Sequence, residues 1–261
     1  MKKSNVFGFI FLLFATTLFA TPYKAPDKRA YYEIKLYRVT SNEQVKQVDQ
    51  FLQNDYLPAL HRAGIGKIGV FHPIVNDTAT EKRIYIFIPL RSLEDMNTIE
   101  ELIIKDSKLK EANAYLDAAY NAPPYKRIES IVLKAFPLMP SFQPPSLTGN
   151  KTERVYELRS YESATEKLYR QKVKMFNVGG EISLFKRLQF NAVFYAEVIA
   201  GSRMPNLMYM TSFNNMADRD EHWKKFGVDA EWVKLKAMPE YQNTVARNET
   251  ILMNPTEFSE L

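Results

Sequence analysis

Cysteine is absent from all 261 residues of the sequence. That absence excludes thiol nucleophiles, disulfides and thiolate metal sites. Histidine is also scarce, since only His61, His72 and His222 occur, so a multi-histidine metal cage is not expected. There is no glycine-rich phosphate loop, no Gly-x-Ser-x-Gly elbow and no calcium-binding acidic loop. The sequence therefore lacks the motifs of the most easily recognised enzyme classes.

The composition is that of a globular protein with a large core. Hydrophobic residues make up 46%, charged residues 25%, and there are 15 tyrosines and 17 phenylalanines. The formal net charge is only +5. No basic run is interleaved with aromatic residues, so nucleic acid is not an expected partner.

The first twenty residues have the pattern of a secretory signal peptide. Lys2 and Lys3 precede an uncharged stretch, residues 6–20, which ends in small residues. As a helix this stretch would span roughly 22 Å, short of the roughly 30 Å apolar layer of a bilayer. We predict a signal peptide over residues 1–20, a lead-in over 21–30, export to the periplasm or the medium, and no stable membrane anchor after cleavage. A retained membrane anchor is the alternative reading.

The remaining chain contains two copies of one pattern. Three segments recur at offsets of 123 or 124: Tyr32–Tyr37 as Tyr156–Tyr161, Val70–His72 as Val193–Tyr195, and Ile84–Ile86 as Met208–Met210. Constant offsets predict two homologous domains, at residues 31–136 and 153–255. Four prolines within residues 137–152 predict a linker between them.

Each copy predicts the order β-α-β-β-α-β. The expected strands are 31–39, 67–75, 83–90 and 128–136 in the first copy, and 156–161, 192–200, 206–213 and 247–253 in the second. The second helix of each copy is expected at 102–120 and 218–238, and the first helices follow capping boxes at Thr40 and Ser163. The predicted fold class is α+β, with two tandem ferredoxin-like units packed sheet to sheet as an intramolecular pseudo-dimeric α+β barrel.

Alternation along the strands nominates a set of ligand-binding residues. Aliphatic side chains share one face of each strand and acid, base and tyrosine side chains share the other. We expect the aliphatic faces to meet the helices and the polar faces to line the space between the two sheets. The candidates are Glu33, Lys35, Tyr37, His72, Glu157, Arg159, Tyr161, Tyr195 and Glu197. The alternative is that the charged residues form structural pairs and the tyrosines fill the core.

The second copy resembles a known family. It opens with Tyr156-Glu157-Leu158-Arg159-Ser160-Tyr161, and later carries His222-Trp223-x-x-Phe226 and Asp229-Ala230-Glu231-Trp232. These strings resemble the NIPSNAP family, of the secreted tandem type found in bacteria. The first copy resembles it more weakly, because residues 31–136 contain no tryptophan.

The resemblance implies a fold and leaves the chemistry open. It implies the dimeric α+β barrel group, whose wider members include cofactor-free monooxygenases, isomerases and haem proteins. The expected function is binding of a small organic ligand between the two sheets. The alternatives are an interaction module with a solid core and a monooxygenase- or isomerase-like enzyme. No cofactor or metal is predicted, haem being the alternative, and the chain is expected to be a monomer or a homodimer.

Overall fold

The computed structural model of the protein describes residues 28–109, 113–201 and 203–261. The predicted signal peptide and most of the predicted lead-in lie outside these ranges. Within them, every helix is too short or too polar to cross a bilayer.

The first unit contains four strands and three α-helices. Its elements are β1 (Tyr31–Val39), α1 (Asn42–Phe51), α2 (Leu57–Arg62), β2 (Gly69–Pro73), β3 (Lys82–Leu90), α3 (Glu94–Lys105) and β4 (Arg127–Ala135). A π-helical turn, Leu52–Tyr56, joins α1 to α2, and Pro58 lies in the first turn of α2. The chain stays helical across this junction, where the Leu57 N–H donates to the Leu52 carbonyl, and the wider turn lies immediately before Pro58, which has no N–H to donate.

The second unit repeats this order with a longer C-terminal helical region. Its elements are β5 (Val155–Glu162), α4 (Glu166–Asn177), α5 (Glu181–Arg187), β6 (Ala192–Ala200), β7 (Asn206–Phe213), α6 (Met216–Val228), α7 (Ala230–Ala237) and β8 (Arg247–Pro255). Gly180 separates α4 from α5 with a φ of 95°, a left-handed conformation that glycine adopts without steric cost.

The eight strands form one closed antiparallel barrel in the order β1-β3-β2-β8-β5-β7-β6-β4. The units join through two strand pairs, β2 with β8 and β4 with β6. The structure confirms the predicted pseudo-dimeric α+β barrel.

Several predicted helix boundaries are wrong. The helix expected at 102–120 is α3, which ends at Lys105, because Asp106 adopts an extended conformation and its side chain accepts the backbone N–H of Lys108. The helix expected at 218–238 divides into α6 and α7, since the Asp229 side chain caps a new helix. The N-caps are Ser41 and Thr165, one and two residues after the predicted capping-box positions.

The barrel interior is an apolar core. Its largest members are Tyr32, Phe71, Phe87, Tyr156 and Phe194, all 0% exposed. Phe142 from the predicted linker packs edge-on against Tyr32 and Phe87. The linker thus supplies part of the core as well as connecting the units.

One end of the barrel, which we call the barrel mouth, is polar. Arg38, Arg83, Glu129 and Glu249 border a cavity of about 30 Å³ there, about the space of one water molecule. The barrel interior is therefore filled, and the polar space between the sheets that the sequence predicts is absent from this part of the molecule.

Candidate functional site

The prediction of which strand faces meet the helices is wrong. Tyr32, Ile34 and Leu36 point into the barrel, whereas Tyr37 packs with residues of α1 and α2. In the second unit Tyr156 and Leu158 point inward, whereas Tyr161 and Tyr195 pack among the helices. The side chains that fill most of the barrel interior are uncharged, because a charge buried among apolar side chains is costly, and the charged candidates reach polar partners on the helices and other strands.

Glu157 on β5 is the most completely enclosed of the nine candidates, at 0% exposure. Its Oε1 accepts from Nε of Arg159 at 2.5 Å. Its Oε2 accepts from Nε of Arg219 at 2.8 Å and from Nε1 of Trp223 at 2.7 Å. Arg219 and Trp223 are four residues apart on α6, so one helix face presents both donors. Three donors, two of them cations, keep this buried carboxylate satisfied.

Arg159 is held in a fixed position by its neighbours. Its guanidinium carbon lies 3.9 Å from the ring centroid of Trp223, a cation–π contact. Its Nη1 donates to the Tyr161 hydroxyl at 3.2 Å, and that hydroxyl lies 2.9 Å from the hydroxyl of Tyr209. Burial alone would lower the pKa of Arg159, but the oxygens of Tyr209, Tyr161 and Glu157 raise it. Arg159 is thus permanently charged, and its charge is paired with the carboxylate of Glu157.

A second buried ion pair lies between α4 and α5. Lys172 Nζ donates to Glu181 Oε2 at 2.9 Å, and both side chains are almost fully buried. Burial raises the pKa of Glu181, and the Lys172 ammonium partly offsets this.

The first unit makes simpler versions of these contacts. Glu33 accepts from the Ser130 hydroxyl at 2.7 Å, and Lys35 donates to the Tyr56 hydroxyl at 2.8 Å. Tyr115 donates to Tyr37 at 3.2 Å, and burial raises the pKa of Tyr37 to about 12.

The two remaining polar candidates also contact helices. His72 Nε2 lies 3.0 Å from Oδ1 of Asp49 on α1. Glu197 accepts from Tyr169 of α4 and from Arg29, each at 3.0 Å. The structure thus divides the nine residues between two sheet–helix interfaces, and none of them lines the barrel interior.

A cleft on the helix side of the second unit involves one candidate, Tyr195. Its volume is about 730 Å³, within the range of small-molecule sites. It lies between the linker segment 138–146, α5 and the start of β6. Its apolar wall consists of Met139, Ile182, Phe185, Phe190 and Tyr195, and polar groups come from Ser141, Gln143, Ser146, Lys186, Gln189 and Asn191.

The turn that forms one side of the cleft has unusual backbone geometry. Gln189 and Asn191 have φ angles of 58° and 42°, in the left-handed region that non-glycine residues seldom adopt. Phe190 between them is 1% exposed and packs on Phe185 and Trp223. Such conformations persist where surrounding packing imposes them, and they cluster at ligand sites.

Tyr195 is the buried polar side chain of the cleft, whereas polar groups such as Gln143 and Lys186 are exposed. The Tyr195 side chain is 2% exposed, and its hydroxyl makes no hydrogen bond within the described chain. Burial, together with the negative charge of Glu181, raises its pKa well above the ordinary value. The hydroxyl therefore stays protonated and can donate to a ligand oxygen.

The three histidines lie away from the cleft. His61 pairs with Glu260, His72 with Asp49, and His222 donates to the Asp218 carbonyl. None of the three lines the cleft. Within the described ranges, His, Asp and Glu side chains also form no group of three that could hold a metal ion.

Comparison with solved structures places the fold in a known class. A monooxygenase candidate from Lactobacillus acidophilus NCFM is 11% identical, with a TM-score of 0.56, over 87% of this chain and 94% of that chain. A chlorite dismutase candidate is 7% identical, with a TM-score of 0.50, over 89% of this chain and 97% of that chain. At these identities the likeness concerns the fold alone. No curated protein matches the sequence.

The family model that matches is that of NIPSNAP, over residues 156–260. A NIPSNAP family protein from Agrobacterium tumefaciens str. C58 is 19% identical, with a TM-score of 0.37, over 45% of this chain and 98% of that chain. The protein is a two-unit α+β barrel, and residues 156–260, which form its second unit, match the NIPSNAP family model. The predicted resemblance is confirmed for this unit, while the first unit lies outside the match.

The cleft was not anticipated from the sequence. Phe185, Phe190 and the segment 138–146 carry no motif, and the prolines of that segment indicated only a spacer. Two left-handed positions at Gln189 and Asn191 are likewise not readable from residue type, because glutamine seldom adopts that conformation.

Proposed function

We propose that the protein binds a small, largely apolar organic molecule in the cleft between the segment 138–146, α5 and β6. The observation that carries this proposal is Tyr195, a buried tyrosine that lines the cleft and whose hydroxyl has no partner in the described chain. Nearby tyrosines on the same side of the sheet, Tyr161 and Tyr209, satisfy each other. The Tyr195 hydroxyl is therefore free to donate to a ligand acceptor, and such a hydrogen bond would contribute about 1 kcal/mol.

The lining supports a ring-shaped ligand with an oxygen acceptor. Phe185 and Phe190, each only 1% exposed, form the aromatic floor of the cleft, with ring centroids 4.7 Å apart and planes inclined by 74°. The neutral Tyr195 hydroxyl would donate to a carbonyl or ether oxygen. The charged candidates Glu157 and Arg159 would act indirectly, because they hold Trp223 against Phe190 at a centroid distance of 4.8 Å.

Because side chains fill the barrel interior, we propose a site on the helix side of the second unit rather than between the two sheets. The monooxygenase and chlorite dismutase candidates share the fold and supply no reaction for this chain. We therefore propose binding without assigning a reaction.

Binding can be followed through the two native tryptophans, Trp223 and Trp232. Trp223 adjoins Phe190 and Trp232 adjoins Phe226, so a quenching ligand in the cleft should lower their emission. We suggest 1,4-naphthoquinone as the probe, since it combines a bicyclic ring with carbonyl acceptors. The expected result is saturable quenching that Tyr195→Phe weakens about tenfold, the value of one lost hydrogen bond.

Tyr209→Phe is the matched control. Tyr209 pairs with Tyr195 across β6 and β7, and its hydroxyl bonds Tyr161 outside the cleft. It should bind the quinone as the wild type does. Equal affinity of wild type and Tyr195→Phe, or no saturable quenching, would contradict the proposal.

We further propose that this binding protein acts after export, since residues 1–20 have the order of a signal peptide. Expression of the full chain in an exporting bacterial host should give a mature protein that begins at Thr21. Intact-mass measurement checks this, and a retained residue 1 in the exported fraction would contradict it.

A further inference from the structure

The barrel is closed, but β2 is short and pairs with only part of β8. The pairs between β5 and β8 extend to Arg247, whereas the pairs between β2 and β8 end at Pro73 and Met253. One further bond, from Ile74 N–H to the Leu252 carbonyl, closes this side. Residues 247–251 of β8 therefore have a strand neighbour on one side only.

The direction of the free backbone groups follows from that last bond. Leu252 directs its carbonyl away from β5, so the residues two and four positions earlier, Thr250 and Asn248, also direct their N–H and C=O groups outward. No backbone or side-chain partner reaches these groups within the described ranges.

The strand across the gap is capped, which makes the β8 edge distinct. The backbone N–H of Arg83 on β3 donates to the side chain of Asn76 at 2.7 Å, and Asn76 is buried. The turn that follows β2 thus provides an acceptor for the Arg83 N–H of β3, and the outward backbone groups of Asn248 and Thr250 on β8 have no partner in the described chain.

An apolar groove runs beside this part of β8. Its volume is about 500 Å³, and it lies between the turn after β2 and residues 249–252 of β8. Three of its hydrophobic side chains are well exposed: Ile74 at 43%, Val75 at 68% and Met216 at 38%. Exposed apolar side chains grouped in this way mark interaction surfaces.

We propose that this edge is a docking site for an extended peptide segment of another protein, which adds as a strand to residues 247–251 of β8. The outward groups of Asn248 and Thr250 would supply backbone hydrogen bonds, and the groove would receive every second side chain of the peptide. Five residues of strand extend about 17 Å, so a segment of five to seven residues fits.

The groove favours a peptide over a second copy of this chain. Ile74, Val75, Asn76 and Ala79 line the groove opposite β8, so the free backbone groups of this short edge lie inside a groove, a setting that suits a single extended chain. The apolar lining calls for aliphatic side chains at alternating positions, with polar side chains between them facing solvent.

The test is a selection of random seven-residue peptides displayed on phage against the purified protein, followed by fluorescence anisotropy of a selected synthetic peptide. We expect enriched sequences with alternating aliphatic residues. Methylation of backbone nitrogens on the side of the peptide that faces β8 should weaken binding at least tenfold, and methylation of the others should not.

Two protein variants and one control locate the site. Thr250→Pro removes an outward N–H and breaks no bond to β5, and proline is tolerated on a strand edge in that orientation. Val75→Asp places a charge in the groove at a well-exposed position. Both substitutions should weaken peptide binding at least tenfold. Val228 on α6 is 78% exposed, and the control Val228→Asp should leave peptide binding unchanged.

Three outcomes would overturn the proposal. One is the absence of any enriched sequence, and another is a selected peptide unaffected by both variants. The third is a dimer in light scattering that Thr250→Pro converts to a monomer, since the edge would then hold a second copy.

Discussion

The two units of the barrel differ in how many polar contacts hold the charged residues of their first strands. Each places an acid, a base and a tyrosine at alternate positions of its first strand, facing the helices. In the second unit Glu157 receives three donors, and Arg159 stacks on Trp223. In the first unit Glu33 receives one side-chain hydroxyl, and Lys35 binds Tyr56.

This difference identifies what the recurring strand motif requires. A fully buried carboxylate needs donors from outside its own strand, and α6 provides them through Arg219 and Trp223. The first unit has no tryptophan, and its glutamate keeps slight exposure and fewer partners. The unit that matches the family model is also the one whose glutamate, Glu157, has three donors.

The largest expected effect is on the buried carboxylate. Glu157→Gln leaves Arg159 and Arg219 without a counter-charge and should lower the free energy of unfolding by about 3 kcal/mol. The matched change Glu33→Gln should cost about 1 kcal/mol, since it alters one hydrogen bond. Urea denaturation followed by circular dichroism measures both, and equal losses would remove the distinction between the units.

The next effect separates the two tryptophans. Trp223→Phe keeps a ring near Arg159 but removes the donor to Glu157, and should cost about 2 kcal/mol because the acceptor is charged. Trp232 makes no side-chain hydrogen bond in the described chain, so Trp232→Phe should cost less. A larger loss for Trp232→Phe in the same denaturation assay would contradict the role given to the indole N–H.

A smaller effect distinguishes two paired tyrosines. Tyr209→Phe breaks the bond to Tyr161 and should cost about 1 kcal/mol, whereas Tyr195→Phe removes a hydroxyl without a partner and should be neutral or stabilising. Thermal unfolding without added ligand compares them. A clear loss for Tyr195→Phe would show that its hydroxyl is already satisfied in the free protein.

The smallest effect concerns acid stability at the barrel mouth. Burial would raise the pKa of Glu249, but Arg203 and Arg83 hold it below its ordinary value. Its contribution is therefore present above about pH 4.3, the ordinary value for glutamate, and is lost as pH falls through the lowered pKa. Glu249→Gln should differ most from wild type at pH 7 and converge with it in acid.

The equivalent residue of the first unit, Glu129, gives the control for that comparison. Within the described ranges Glu129 bonds one arginine, Arg38, whereas Glu249 bonds two. Glu129→Gln should reduce stability at pH 7 by less than Glu249→Gln. Unfolding curves at several pH values decide this, and a pH-independent difference for Glu249→Gln would contradict the assignment.

The strands could be read from the sequence because alternation is a local signal. β6 and β7 have the predicted bounds, and the repeat indicated two equivalent units. The helix at 102–120 was misplaced because side chains such as Asp106 compete for backbone groups and end α3 early, which residue propensity does not capture.

The direction of the strand faces could not be read from local pattern. Both faces of β1 and β5 carry large side chains, and charge usually marks the side away from the core. In a closed barrel the driest region is the interior, so Tyr32 and Tyr156 turn inward and Glu33 and Glu157 turn toward the helices. The cleft escaped prediction for a related reason, since it depends on how the segment 138–146 folds against α5.

A crystal structure of the protein soaked with 1,4-naphthoquinone tests the central claim most directly. The account predicts the bicyclic ring between Phe185, Phe190 and the segment 138–146, with a carbonyl oxygen within about 3 Å of the Tyr195 hydroxyl. A ring bound inside the barrel, among Tyr32, Phe87 and Phe194, would contradict it.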